Sequence, residues 1–182
     1  PAAPLRPFVT GYTGFDLSGF EPGVHAGLPS HTLTAVVTFG EPLEIDLPTG
    51  LSGASGRYPS MASGLLAQAI SIRHRGAQRG VKLAFTPLGA RMVYGMPAGA
   101  LANTVVPLSD VLADLWPELE DRLGAAVTWP QRFRVLDDLL ARAVARTMRA
   151  GTFDVRPEVA AAWRRLVDSH GQVRVSDLAH DL

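Results

Sequence analysis

Apolar and polar residues alternate with a period of two at several places in the first half of the chain. This alternation is typical of strands that are buried on one face. It predicts five strands, at residues 6–15, 31–39, 43–47, 64–74 and 81–85. The last two flank the turn Arg75–Gly80, whose glycines suit a tight turn, and are expected to pair as a hairpin. The stretches between the other strands are rich in turn residues and are expected to be loops, including a long one over Pro48–Ser63.

The apolar pattern changes to a helical spacing after this sheet region. Thr86–Pro87 is typical of a helix start and Gly95 of a helix end. Thr128 is expected to cap the longest helix, from Trp129 to about Arg149, and shorter helices are expected in residues 157–182. Strands followed by helices predict an α+β fold, with a small antiparallel β-barrel first and a helical subdomain after it.

Composition narrows the classes of function. The 182 residues carry 17 basic and 17 acidic side chains, so the formal net charge is zero. Binding of nucleic acid by this chain alone is not expected, because such binding depends on a basic surface that neutralises phosphates. The absence of cysteine excludes disulfides and thiolate catalysis and fits a reducing cytoplasm. No apolar run reaches the roughly 18 residues of a membrane span, and the first residues do not resemble a signal peptide.

No catalytic, metal or cofactor site is predicted. The chain lacks a Ser-His-Asp spacing, a Walker loop, paired catalytic carboxylates and a dinucleotide fingerprint. His25 and His31 are separated by a proline and lack the close spacing of metal ligands. His31 and His74 lie at predicted strand ends, where a backbone group or a neighbour can satisfy them. Alternatively, together with Gln68 on the inward face of the hairpin, they contact a small-molecule effector.

Basic side chains cluster around the predicted hairpin, at Arg73, Arg75, Arg79 and Lys82. A solvated rim is the simpler interpretation. An anion-binding rim is the alternative, since no acidic residue is close to them in sequence. The candidate ligand-binding residues are His25, His31, Gln68, Arg73 and His74.

Four stretches resemble the sensor half of AraC-type transcriptional regulators. They are HAGLPSHTLTAVVTFGEPL (His25–Leu43), GVKLAFTPLGARMVYGMPAGAL (Gly80–Leu101), TWPQRFRVLDDLLARAV (Thr128–Val144) and the tail Pro157–Ala179. The tail is similar to the opening of that family's DNA-binding domain. Together the stretches cover nearly the whole chain.

The resemblance implies three regions. A cupin-like β-barrel sensor is expected at residues 1–86, a helical dimerisation subdomain at 87–150, and the start of a helix-turn-helix domain at 151–182. The chain ends at Leu182, before a recognition helix, and reading base edges requires such a helix in the major groove. We therefore expect a cytoplasmic regulator, not an enzyme, that senses a small molecule and meets operator DNA only through residues beyond this chain.

The resemblance also implies a homodimer. Its candidate contacts are Leu136, Leu140, Val144 and Met148, which form an apolar stripe on the longest helix. Packing of this stripe against the barrel is a compatible interpretation.

The alternative function is a cupin-type metal-dependent enzyme, an isomerase or dioxygenase.

Overall fold

The computed structural model describes residues 1–151 and 156–181, and in this part the chain forms nine strands and six α-helices. The strands are β1 (Val9–Ser18), β2 (Gly23–Gly27), β3 (Leu33–Thr38), β4 (Leu43–Asp46), β5 (Gly56–Tyr58), β6 (Ser60–Ser63), β7 (Ile70–His74), β8 (Ala77–Phe85) and β9 (Val105–Pro107). The helices are α1 (Pro87–Tyr94), α2 (Leu108–Val111), α3 (Trp116–Ala125), α4 (Trp129–Arg149), α5 (Pro157–Asp168) and α6 (Val175–Asp181). The predicted α+β class is confirmed. Of the predicted third region, 151–182, residues 152–155 and 182 lie outside the described residues.

The strands form two antiparallel sheets. The five-stranded sheet has the order β1-β8-β3-β6-β9, and the four-stranded sheet has the order β2-β7-β4-β5. Val36 and Met61 of the first sheet belong to the same apolar cluster as Ile45 and Ile70 of the second. The sheets therefore face each other and are held together by this cluster.

The predicted hairpin is wrong. β7 and β8 are separated by only two residues, yet β7 pairs with β2 and β4 while β8 pairs with β1 and β3. Between them, Gly76 has a φ of 92°, and a Cβ there would lie 2.3 Å from the carbonyl oxygen of Phe20. The turn therefore passes the chain from one sheet to the other. Alternation identifies a strand, but it does not identify the partner of that strand.

Three strands lie where loops were predicted, because their composition is typical of loops. β2, β5 and β6 are short and contain Gly, Ser or Pro at or beside most positions. β6 consists of small and medium side chains and is buried at every position, paired between β3 and β9. β9 itself lies inside the predicted helical region, so the chain returns to the sheet after α1.

The two faces of the five-stranded sheet have different neighbours. One face packs against the helices and carries the alternate residues Leu33, Ala35, Val37, Val81, Leu83 and Phe85. The intervening positions, such as Val36 and Lys82, face the four-stranded sheet. The more apolar face of β3 and β8 is therefore the face that packs against the helices.

The predicted helix ends are confirmed where capping residues define them. Thr86 Oγ1 accepts a hydrogen bond from the Gly89 amide at 2.9 Å, and Gly95 ends α1 with a φ of 71°. Thr128 and Gln131 form a reciprocal capping box at the start of α4. Each cap satisfies amides that the first helical turn leaves unpaired.

The apolar stripe of α4 packs inside the chain. Leu136, Leu140 and Val144 are 0%, 1% and 7% exposed, and they share one core with the five-stranded sheet. Met148 is 53% exposed. Three of the four candidate dimerisation residues are therefore unavailable to a second chain. The same core joins the predicted regions 1–86 and 87–150.

In the described residues, none of the helices has the length and hydropathy that crossing a lipid bilayer requires.

Candidate functional site

A cavity of about 530 Å³ lies between the two sheets. Its first wall is the face of the five-stranded sheet that the helices do not cover, with residues from β1, β3, β6 and β8. Its second wall comes from the four-stranded sheet and includes Leu43, Ile70 and Ile72. Ligand pockets in proteins have volumes of roughly 300–1,000 Å³. The cavity is therefore large enough for a small organic molecule.

The two walls differ in polarity. The five-stranded sheet contributes Thr13, Thr34, Ser63, Gln78 and Lys82 to the lining. Strand pairing sets Thr13 beside Lys82 and Thr34 beside Ser63, so the polar groups form neighbouring pairs. The opposite wall is mainly aliphatic. A molecule between the walls meets hydrogen-bonding groups on one side and an apolar surface on the other.

The entrance of the cavity is apolar and carries one histidine. Leu17 and Leu28 line it and are 51% and 75% exposed. His25 also lines it, and its ring centroid lies 5.7 Å from that of His74. Partial burial and the proximity of His74 lower the pKa of His25, so this imidazole is neutral at neutral pH. The entrance therefore adds no positive charge there.

The structure brings the five candidate ligand-binding residues to different places. His25 lines the cavity, whereas Arg73 and His74 line a separate small cleft at β7 and β8. His31 is exposed just before β3. Gln68 is exposed in the loop before β7, where its Nε2 donates to the carbonyl oxygen of Thr49 at 3.2 Å. The expectation that Gln68 faces inward from a hairpin is wrong, because β7 begins only at Ile70.

The basic cluster near β7 and β8 is partly neutralised by carboxylates distant in sequence. Arg73 pairs with Asp46, and Arg79 Nε lies 3.2 Å from Asp16 Oδ2. The alternative of an anion-binding rim loses support at these two arginines, because sheet pairing brings the acids next to them. All four side chains are about half exposed, so the pairs contribute little to stability.

No metal centre is seen in the part of the chain that the structure describes. There, no three His, Cys, Asp or Glu side chains lie close enough together to hold a metal ion. His25 and His74 are near each other but form a pair without a third ligand. Of the candidate residues for a metal-dependent enzyme, His31 lies in the loop before β3 and His74 ends β7.

Lys82 is the cavity residue that sequence reasoning missed, because it was grouped with the arginines of the basic cluster; its side chain is exposed to solvent and also lines the cavity. It lies on the central strand β8, between residues that face the helices, and its own side chain lines the cavity. A signal was present, since a lysine alternates there with Val81 and Leu83. That signal is informative only once the neighbours of both faces of the sheet are known.

The arrangement can bind and orient a small molecule, since it combines an apolar enclosure with a few polar groups on one wall. In comparisons with known proteins, no family model, no curated protein and no solved structure matches this chain.

Proposed function

We propose that this chain is the effector-sensing and dimerising region of an AraC-type transcriptional regulator. The single observation that carries the sensing role is the cavity of about 530 Å³ between the two sheets, with one polar and one apolar wall. The resemblance of Gly80–Leu101, Thr128–Val144 and the tail to AraC-type sensors supplies the class of protein. In this proposal the two facing sheets are a cupin-like jelly roll.

The five-stranded sheet offers a route from the cavity to the helices. Lys82 lines the cavity, and its neighbours Val81 and Leu83 pack in the core with α4. β8 also leads directly into α1, which lies beside α5 across a groove lined by Leu88 and Trp163. A ligand that prefers one arrangement of this sheet shifts the helices toward the same arrangement, because binding and conformation are thermodynamically linked.

The proposal includes a homodimer and a DNA-binding region. Since Leu136, Leu140 and Val144 are buried, the dimer is proposed to form through exposed positions, among which is Met148. α5 and α6 are proposed to open the DNA-binding domain, whose recognition helix is expected after Leu182. The state of the cavity is thus proposed to control how two such domains are presented to operator DNA.

A thermal-shift screen with a blocked cavity tests the sensing role. A ligand that binds only the folded chain raises its melting temperature. Thr34→Phe places a large side chain in the cavity, and Thr10→Phe adds the same ring at an exposed position outside the cavity lining. We expect compounds that stabilise the native chain and Thr10→Phe but not Thr34→Phe. Stabilisation that survives Thr34→Phe would place binding elsewhere and contradict the proposal.

The regulator assignment has its own test. A longer chain that continues past Leu182 is expected to select a defined DNA sequence from a random pool, and residues 1–182 alone are not. Failure of the longer chain to enrich any sequence would contradict the assignment to AraC-type regulators while leaving the ligand cavity intact.

A further inference from the structure

We infer that the ligand of the inter-sheet cavity is an apolar molecule with one singly charged acidic group, and that this group pairs with the ammonium of Lys82. The inference rests on the proposed sensing function and names the chemical class of its ligand. Lys82 is the only lysine of the chain, and every other residue in its Lys+Arg count is an arginine. The single lysine of the chain therefore lies in the lining of this cavity.

The position of Lys82 gives its charge no internal partner. Along the sheet its neighbours are Thr13 on β1 and Val36 on β3, and both also line the cavity. No aspartate or glutamate of the described chain stands among the lining residues. None of the ion pairs found in residues 1–151 and 156–181 includes Lys82. The charge is tolerated because Lys82 keeps access to solvent through the open side of the cavity.

The charges around the cavity favour a ligand with a single negative charge. Lys82 is the one side chain with a full charge among the described lining residues, and the lowered pKa of His25 leaves that imidazole neutral at neutral pH. One carboxylate is matched by one ammonium. A second negative charge in the same ligand would lose its hydration without gaining a partner, which is unfavourable. A doubly charged phosphate is therefore disfavoured relative to a carboxylate or a sulfonate.

The polar wall also fixes the orientation of such a ligand. Gln78 lies four residues before Lys82 on β8, so both side chains project from the same face of the strand. Thr34 and Ser63 add hydroxyl groups on the neighbouring strands. Ile70 and Ile72 lie on the opposite wall. The acidic end is thus held at the five-stranded sheet and the apolar body lies against the four-stranded sheet.

A pair of fluorescent probes that differ only in the acid tests the inference. Anilinonaphthalene sulfonate carries one negative charge on an apolar body, and phenylnaphthylamine has the same body without the sulfonate. We expect the native chain to bind the sulfonate about three- to tenfold more tightly than the neutral probe, because Lys82 keeps access to solvent and its ion pair with the ligand is partly screened. Equal affinity for the two probes would overturn the inference.

Three variants locate the charge that is responsible. Lys82→Met keeps the length of the side chain without its charge, and Lys82→Arg keeps the charge. Arg6→Met removes a charge from an exposed residue outside the cavity. We expect Lys82→Met alone to lose the preference for the sulfonate, with its affinity for the neutral probe changed by less than about twofold. Retention of the preference in Lys82→Met, or its loss in Arg6→Met, would contradict the inference.

A measurement on the unsubstituted chain makes the test independent of how the variants fold. Reductive methylation with isotope-labelled formaldehyde marks Lys82 and the N-terminal amine, because the chain has no other lysine. We expect the methyl resonance of Lys82 to shift and saturate as the sulfonate probe is added, and to move little with the neutral probe. An unchanged resonance during saturable binding of the sulfonate would show that the acid pairs elsewhere.

The outcomes separate this inference from the function on which it rests. If both probes bind with equal affinity and Thr34→Phe abolishes both, the cavity is a ligand site but the acidic class is wrong. If neither probe binds in a way that Thr34→Phe abolishes, the sensing function fails and the inference fails with it.

Discussion

Replacing Gly14 by alanine is expected to disturb the packing of α4 against the five-stranded sheet. Gly14 pairs with Val81 on the face of β1 that the helices cover. A Cβ at this position would lie 2.5, 2.7 and 2.8 Å from three ring atoms of Trp129. Carbon atoms normally approach to roughly 3.5–4.0 Å, so the alanine methyl group and the indole cannot both keep their places.

The Trp129 ring has little room to move away. Its centroid lies 6.1 Å from those of Phe39 and Phe133, and the guanidinium carbon of Arg132 stacks over it at 5.0 Å. Arg132 itself is only 6% exposed. Moving the indole therefore means moving the buried Arg132 and the partly buried Phe39 and Phe133. Overpacking of this kind costs about 1–3 kcal/mol.

Gly11 provides the matched control on the same strand. A Cβ at Gly11 meets no atom within 4 Å, and neither glycine has a positive φ. Both substitutions restrict the unfolded chain equally, which stabilises by roughly 0.4–1 kcal/mol. That gain cancels in the comparison. Gly14→Ala is therefore expected to be about 1–3 kcal/mol less stable than Gly11→Ala, or about 2–12 °C lower in melting temperature.

Urea denaturation followed by circular dichroism measures the difference, and tryptophan fluorescence reports on the indole that is displaced. If Gly14→Ala and Gly11→Ala have the same free energy of unfolding within about 0.5 kcal/mol, the close packing of Trp129 on β1 is refuted. A changed fluorescence spectrum without loss of stability would mean that the indole moves at no cost, which also contradicts the reasoning.

Other substitutions test packing and buried hydroxyl groups by the same denaturation assay. Leu140→Ala is expected to cost about 2–5 kcal/mol at every protein concentration, and Met148→Ala less than about 0.5 kcal/mol, since the residues are 1% and 53% exposed. A cost at Leu140 that vanishes on dilution would indicate an interface. Tyr94→Phe is expected to leave stability unchanged or raise it, because its hydroxyl is buried without a hydrogen-bond partner among the described residues. Tyr12→Phe should cost about 1.5–3 kcal/mol, because it removes a 3.0 Å bond to the Asp137 carboxylate; the opposite ranking of the two tyrosines would contradict both.

The sequence by itself determines the elements whose ends depend on local chemistry. Thr86 and Thr128 cap helices because their hydroxyl oxygens accept hydrogen bonds from amides three residues on, and no distant residue is needed. The strands with clear alternation, β3 and the second half of β8, are likewise found where the pattern places them, although β8 begins at Ala77, within the predicted turn. Strands of small residues such as β6 are not predicted from the sequence, because their burial comes from neighbouring strands and not from their own hydrophobicity.

The candidate site depends on choices that only the tertiary structure makes. Alternation shows that Val81 and Leu83 share one face of β8 and that Lys82 lies on the other, but it does not show what covers each face. In the folded chain the helices cover the apolar face and the four-stranded sheet stands opposite the other, so the solvent-exposed Lys82 lines a cavity between the sheets. The stripe on α4 is equally suited to a sheet and to a second chain, and burial of Leu140 in the core shared with the other helices and the five-stranded sheet shows that this chain occupies it. The physical reason is common to both cases: a local pattern specifies which surface must be buried, whereas the partner that buries it comes from residues far away in the sequence.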